Sequence, residues 1–205
     1  FIIINIMDNK KIAFCFLCKD KINHIDIWKD FFKNNYDKIS IYIHCSDNPE
    51  NINDPFILKY LIERLDSKWG DLYKPIIKMF KIALKNNNNK LILVSDSTLP
   101  VKNFNYIYNY LNRDNKSFIQ YTDSINNASE KSTLIDMYIR YINNLKRINN
   151  FGYNVSIKHW FFNEAWIILN NHHANMIIDY FDKYYDLFIK KCFAYDENFP
   201  SYILS

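Results

Sequence analysis

Between Leu91 and Val94 the chain carries an unbroken apolar run, bounded on one side by the polar Asn86 to Lys90 and on the other by Ser95, Asp96, Ser97 and Thr98. A run so short and apolar is the pattern of a strand buried on both faces, the usual condition of a parallel strand. Pro100 stops the strand, and Asn103 is placed to cap a helix running from Phe104 to about Leu111. In open α/β sheets ligands bind beyond the carboxyl ends of the strands. The hydroxyls and carboxylate from Ser95 to Thr98 therefore mark a candidate site, or else simply a well-capped turn.

The remaining elements are read around that strand. Lys11 to Cys18 is a first strand, apolar almost throughout, and a helix from Asn23 or His24 to Asn34 sets Ile27, Trp28, Phe31 and Phe32 on its inner face. Ile39 to Cys45 is a second strand ending in His44, and Phe56 to Leu65 reads equally as strand or short helix. A strong amphipathic helix follows Trp69-Gly70 as far as Lys85, with Leu72, Ile76, Met79, Phe80 and Ala83 on one face. Ser117 to Tyr121 is a further strand. Such alternation predicts a mostly parallel sheet covered by helices on both faces. From Thr122 to Ser156 the pattern gives way to a polar loop with an uncertain helix around Leu134 to Lys146, the kind of insertion that can wall an active site. Ala165 to Leu169 is a short strand. Asn170 or Asn171 then caps a helix to about Asp182, followed by a second short helix, Tyr185 to Lys191, and a last apolar segment.

At 205 residues with no linker or repeat, residues 1–205 read as one domain. Only two glycines occur, Gly70 and Gly152, so neither a phosphate-cradling P-loop nor a glycine-rich dinucleotide turn can be built. The net charge of +4 is evenly spread and demands no nucleic-acid partner. Cys15 and Cys18 have CxxC spacing but lie inside an apolar strand, which reads as core thiols rather than a zinc or redox pair. The opening FIIINIM is too short to span a membrane, so a membrane could be reached only through an anchor outside these residues.

Several stretches, in order, resemble the core-2/I-branching glycosyltransferases and their plant relatives over nearly the whole chain. KIAFCFLC at 11–18 looks like the first strand of that family, and IYIHCS at 41–46 like the second. Trp69-Gly70 matches a WG before a long helix, and SDSTLPVKN at 95–103 is similar to the strand-end motif. AWIILNNHHA at 165–174 resembles a segment that contains an Asn/Ser-Arg-Glu triplet, matched here by Asn170-Asn171-His172, and YDENFP at 195–200 the segment containing Asp-Glu. The resemblance implies an α/β fold of GT-A type, a UDP-sugar donor and inversion at the anomeric carbon. It also implies a site with no divalent metal or other cofactor, and Asp96-Ser97-Thr98 is not a DxD. GlcNAc or xylose is the implied sugar, and a glycan or glycoprotein the acceptor. The implied compartment is a Golgi or secretory membrane, or the cytoplasm if there is no anchor.

Inverting transfer needs a base for the acceptor hydroxyl and positive charge facing the departing diphosphate. By the resemblance His172 takes the place of a glutamate base, and a helix N-terminus would keep its imidazole neutral. Asp196 and Glu197 are the further catalytic candidates, with helix capping as their plain alternative. For the donor the candidates are Ser95, Asp96, Ser97, Trp69, His44 and Arg140, the last resembling half of an RY pair in the plant relatives. For the acceptor they are Lys102, Trp160, Trp166 and Glu164. Lys158 and His159 are further cations that could face phosphate. The basic residues that the family places beyond its Asp-Glu segment have no counterpart before Ser205. The replacement of the glutamate by His172, together with that absence, leaves a second reading open, a degenerate module that binds nucleotide or glycan without catalysis.

Overall fold

The computed structural model describes residues 10–68, 70–123, 161–163, 165–191 and 199–204. Strand β1 (Lys11–Cys18) leads through helix α1 (Ile25–Phe32) to β2 (Ile39–Cys45). Two helices follow, α2 (Pro55–Tyr60) and α3 (Tyr73–Lys85), then β3 (Asn88–Ser95) and α4 (Phe104–Asn112). Next come β4 (Tyr121–Asp123), β5 (Phe161–Asn163) and β6 (Ile168–Asn170), and helices α5 (Asn171–Lys191) and α6 (Phe199–Leu204). The main sheet has the order β2-β1-β3-β6, and β4 and β5 form a separate antiparallel pair. β1 runs parallel to both β2 and β3, whereas β6 is antiparallel to β3. This is the mostly parallel, helix-covered sheet of GT-A type that the sequence predicts.

Successive side chains of a strand point to opposite faces, and β1 feeds two cores in this way. Ala13, Cys15 and Leu17 pack under α3, α5 and α6 with Phe80, Ile177 and Phe199. Ile12, Phe14, Phe16 and Cys18 pack on the other face with Trp28 and Phe32 of α1, Ile57 of α2 and Phe104 of α4. Both faces being covered is why the strand tolerates no polar residue after Lys11. On α1 the buried row is Trp28 and Phe32, one helical turn apart, while Ile27 is 48% exposed beside the half-buried Phe31. The expected inner face is therefore narrower by Ile27.

Other expectations are corrected. Phe56 to Leu65 resolves into α2 followed by Leu61, which makes a single parallel bridge to Ile43. β3 begins at Asn88, inside the stretch expected to bound it, because Asn88 and Lys90 are buried with partners. Asn88 Nδ2 donates to the Ala83 carbonyl at 2.8 Å, and Lys90 Nζ donates to the Lys116 carbonyl. Asn87, at φ 56°, makes the left-handed turn between α3 and β3, a conformation that asparagine accepts more readily than most residues. Ser117 to Tyr121 is not a strand of the main sheet: Phe118 alone bridges Ile168, and β6 takes the edge beside β3. The last helices are also redrawn, since α5 continues unbroken from Asn171 to Lys191. No glycine or proline interrupts it, and Phe181 and Tyr185 join the expected break with ring centroids 4.5 Å apart. The helix expected around Leu134 to Lys146 lies outside the described residues.

Candidate functional site

A pocket of about 320 Å³ opens where β1, β2 and β3 end. Leu17, Cys18 and Lys19 come from the end of β1, His44 and Ser46 from β2, and Ser95, Asp96 and Ser97 from β3. Ser67, Leu72 and Trp166 complete the lining. Parallel strands bring their carboxyl ends to one edge, so residues far apart in the chain share one rim.

The β3 corner is built from hydroxyls. Ser95 Oγ lies 2.8 Å from Thr98 Oγ1 and 3.2 Å from Ser97 Oγ, and the Ser95 N–H donates to Thr98 Oγ1 at 3.2 Å. The Thr98 carbonyl accepts from Trp28 Nε1 at 3.0 Å, and the Asp96 carbonyl accepts from the Asn23 N–H at 2.8 Å. The turn is thus tied to α1 and to the loop before it. Among the described residues the Asp96 carboxylate makes no hydrogen bond or ion pair, leaving an acceptor free on the pocket wall.

His44 is buried and holds the segment after α2. The Leu65 N–H donates to its Nε2 at 3.1 Å, and burial is the main cause that lowers its pKa. Its role at the rim is therefore to position the backbone as well as to line the pocket. Arg64, next to Leu65, donates from Nε to the Ser46 carbonyl at 2.8 Å. Trp166, 41% exposed, stands beside the hydroxyl corner because the following Ile167 carbonyl accepts from the Leu93 N–H at 3.0 Å.

Of the residues singled out from sequence, the pocket gathers Ser95, Asp96, Ser97, His44 and Trp166. It does not gather His172. β6 runs antiparallel to β3 with Asn170 opposite Lys90, five residues before Ser95. At about 3.3 Å per residue, Asn170 lies roughly 16 Å along the sheet from Ser95, and His172 is two residues further on, in the first turn of α5. There Asn170 Oδ1 caps α5 by accepting from the His173 N–H at 2.7 Å, and His173 Nδ1 sits 2.8 Å from Ser117 Oγ. His172 itself is exposed beside this cap. Lys102 is likewise outside the pocket, with its Nζ over the Tyr106 ring on α4. Trp69, Arg140, Lys158, His159, Trp160, Glu164, Asp196 and Glu197 lie outside the described residues.

Lys19, Ser46, Ser67 and Leu72 were not singled out from sequence as site residues, although they line the pocket. The signal for the first two was present. Lys19 and Ser46 directly follow β1 and β2, where the rule applied to Ser95 holds equally. Among the described residues Lys19 is the only cation in the lining and makes no ion pair. No group of three or more His, Cys, Asp or Glu side chains among the described residues could hold a metal ion. Nor is any described helix long and apolar enough to cross a membrane.

A family model of the Core-2/I-Branching enzyme matches residues 12–204, and the chain belongs to that family. It is similar to Glycosyltransferase BC10 of Oryza sativa subsp. japonica, with 23% identity over 180 residues. The match covers 83% of this chain and 41% of that protein, so the chain spans about two-fifths of its relative's length.

Proposed function

We propose that the chain is the catalytic sheet of an inverting glycosyltransferase that moves GlcNAc or xylose from a UDP-sugar to a glycan or glycoprotein. The observation that carries the reading is the pocket at the carboxyl ends of β1 to β3, with a hydroxyl corner, a free carboxylate, a cation and an exposed indole around one space. Ser95, Ser97 and the Asp96 carboxylate suit the hydroxyls of a ribose or a donor sugar. Lys19 suits the diphosphate, whose charge grows as the bond to the anomeric carbon breaks. Trp166 offers an apolar face to a pyranose ring at the mouth.

In this reading the acceptor hydroxyl loses its proton to a carboxylate as its oxygen attacks the anomeric carbon, and UDP departs from the opposite side. Asp196-Glu197 is the proposed source of that carboxylate. Its support is the resemblance of YDENFP at 195–200 to the Asp-Glu segment of the family. No step passes through a metal; side-chain cations take the role that a divalent ion has elsewhere.

Calorimetric titration with UDP, with Mn²⁺ and with EDTA, tests the donor and metal statements together. Binding indifferent to EDTA is expected, and binding that requires Mn²⁺ would sink the metal-independent mechanism. Release of UDP from UDP-GlcNAc or UDP-xylose in the presence of acceptor then separates an enzyme from a module that only binds. Glu197→Gln is expected to abolish release with UDP affinity kept, while His172→Ala leaves both unchanged.

A further inference from the structure

Cys18 and Cys45 end β1 and β2 and are register partners across the parallel pair. Their sulfurs lie 2.9 Å apart, about 0.9 Å more than a disulfide bond. Adjacent strands sit roughly 4.8 Å apart, which falls inside the Cα spacing that a disulfide accepts. The ladder continues past both residues: the Ser46 N–H donates to the Cys18 carbonyl at 3.0 Å and the Asp47 N–H to the Lys19 carbonyl at 2.9 Å. The two side chains are therefore held face to face by backbone on either side. Cys18 also lines the pocket, so this buried pair has an approach from solvent.

Cys15, by contrast, cannot take part. Three residues from Cys18 along a strand, it points to the opposite face and packs in the other core. The CxxC spacing is incidental, and the reactive partner of Cys18 comes from the neighbouring strand.

We propose that Cys18 and Cys45 are a reversible redox site on the wall of the pocket, closing to a disulfide with a peroxide as the oxidant. The Cys18 sulfur, the one that faces the pocket, attacks one oxygen of hydrogen peroxide, forming a sulfenic acid and releasing the other oxygen as water. The Cys45 sulfur then attacks the sulfenic sulfur; the S–S bond forms, the S–O bond breaks, and the departing hydroxide leaves as water with the Cys45 proton. Two thiols and one peroxide give one disulfide and two waters, and a dithiol reductant reverses the step. The roles follow from access: Cys18 lines the pocket, whereas Cys45 is 2% exposed and does not. Either sulfur can donate the hydrogen bond between them, and burial and Asp20 disfavour a thiolate at both.

The test is to treat the folded protein with hydrogen peroxide, alkylate the remaining thiols and measure intact and tryptic masses. The expected result is a loss of the mass of two hydrogens, reversed by dithiothreitol, in a peptide pair whose fragmentation places the link on Cys18 and Cys45. Cys15 should stay alkylatable once the protein is denatured. In Cys45→Ser the reaction should stop at a sulfenic acid on Cys18, trapped by dimedone. A wild-type protein that keeps both thiols free under conditions that oxidise glutathione overturns the proposal, as does a link made through Cys15 or Cys192. The wild-type map decides the matter even if the variant fails to fold.

Discussion

His44 sits at the end of β2 with its ring out of water and the Leu65 N–H donating to Nε2 at 3.1 Å. Burial is the largest cause acting on its pKa and lowers it; Arg64 and Lys78 act in the same direction, and the nearby Leu65 carbonyl, to which only a protonated Nε2 could donate, opposes them. An unfolded His44 takes up a proton near the ordinary value of about 6.5, whereas the folded ring does so only at lower pH. Stability is thus fully present above about pH 6.5 and falls as the pH drops through that value toward the folded one. The urea midpoint should decrease between pH 7.5 and pH 5.5, and less so in His44→Gln. His173, lowered by its own burial and by His172 and Lys90, contributes equally to both proteins. Equal slopes in the two proteins would remove His44 as the source. Lys19 gives a second prediction on this scale. Lys19→Ala should weaken UDP binding by about tenfold, the worth of one charge-assisted contact, and leave uridine binding unchanged. Weaker binding of both ligands would mean that Lys19 does not face the diphosphate.

Among the elements, α5 shows how one polar residue can decide where a helix starts. Asn170 ends β6, accepts from the His173 N–H at 2.7 Å through Oδ1, and sends Nδ2 to the Asn115 carbonyl. Its own N–H donates to Ser117 Oγ at 2.9 Å. One side chain thus caps the helix and ties it to the loop after α4. Asn170→Ala should cost about 1–2 kcal/mol of stability through the lost cap and the unpaired carbonyl. Asn170→Asp, which keeps the capping oxygen, should recover part of that in equilibrium unfolding. The caps were legible in the sequence at Asn103 and at Asn170 or Asn171. The extent of α5 past Asp182 was not, because Asp182 and Lys183 are exposed positions of a helix that continues, with Tyr184 and Tyr185 packed against the core. Asn88 and Lys90 misled for a related reason: polar letters bounded β3 on paper, while inside it Ala83 and Tyr42 accept from the Asn88 amide nitrogen and Lys116 accepts from Lys90.

On the scale of the whole molecule, the sheet is held between two cores that β1 shares by alternation. The second is aromatic: Phe14, Phe16, Trp28 and Phe32 meet with ring centroids 4.9 to 6.4 Å apart, mostly edge to face. Phe32, fully buried, also stacks on Phe56 of α2, so it joins α1, α2 and the sheet. Phe32→Ala should cost about 3–5 kcal/mol by lost transfer and a cavity that the sheet cannot close. A denaturant midpoint shifted by less than a third of that would mean that the core relaxes around the gap. Such a loss also loosens the pocket, because Trp28 of the same cluster donates to the Thr98 carbonyl.

Hydrophobic periodicity by itself determined the strands β1, β2 and β3 and the helices α1, α3 and α4, because burial on two faces writes an apolar run that local residues alone reveal, and the alternation of these elements predicted a mostly parallel sheet. The strand-end cluster Ser95 to Ser97 was legible for the same reason. Which distant residues share a rim with it was decided only by tertiary structure. Parallel pairing set Lys19 and Ser46 beside Asp96, and it brought Cys18 to Cys45 across two strands. The antiparallel entry of β6 placed Trp166 in the pocket and carried His172, six residues later, to the far end of the sheet. Strand direction is a property of long-range pairing, and no local pattern in Ala165 to Ala174 records it.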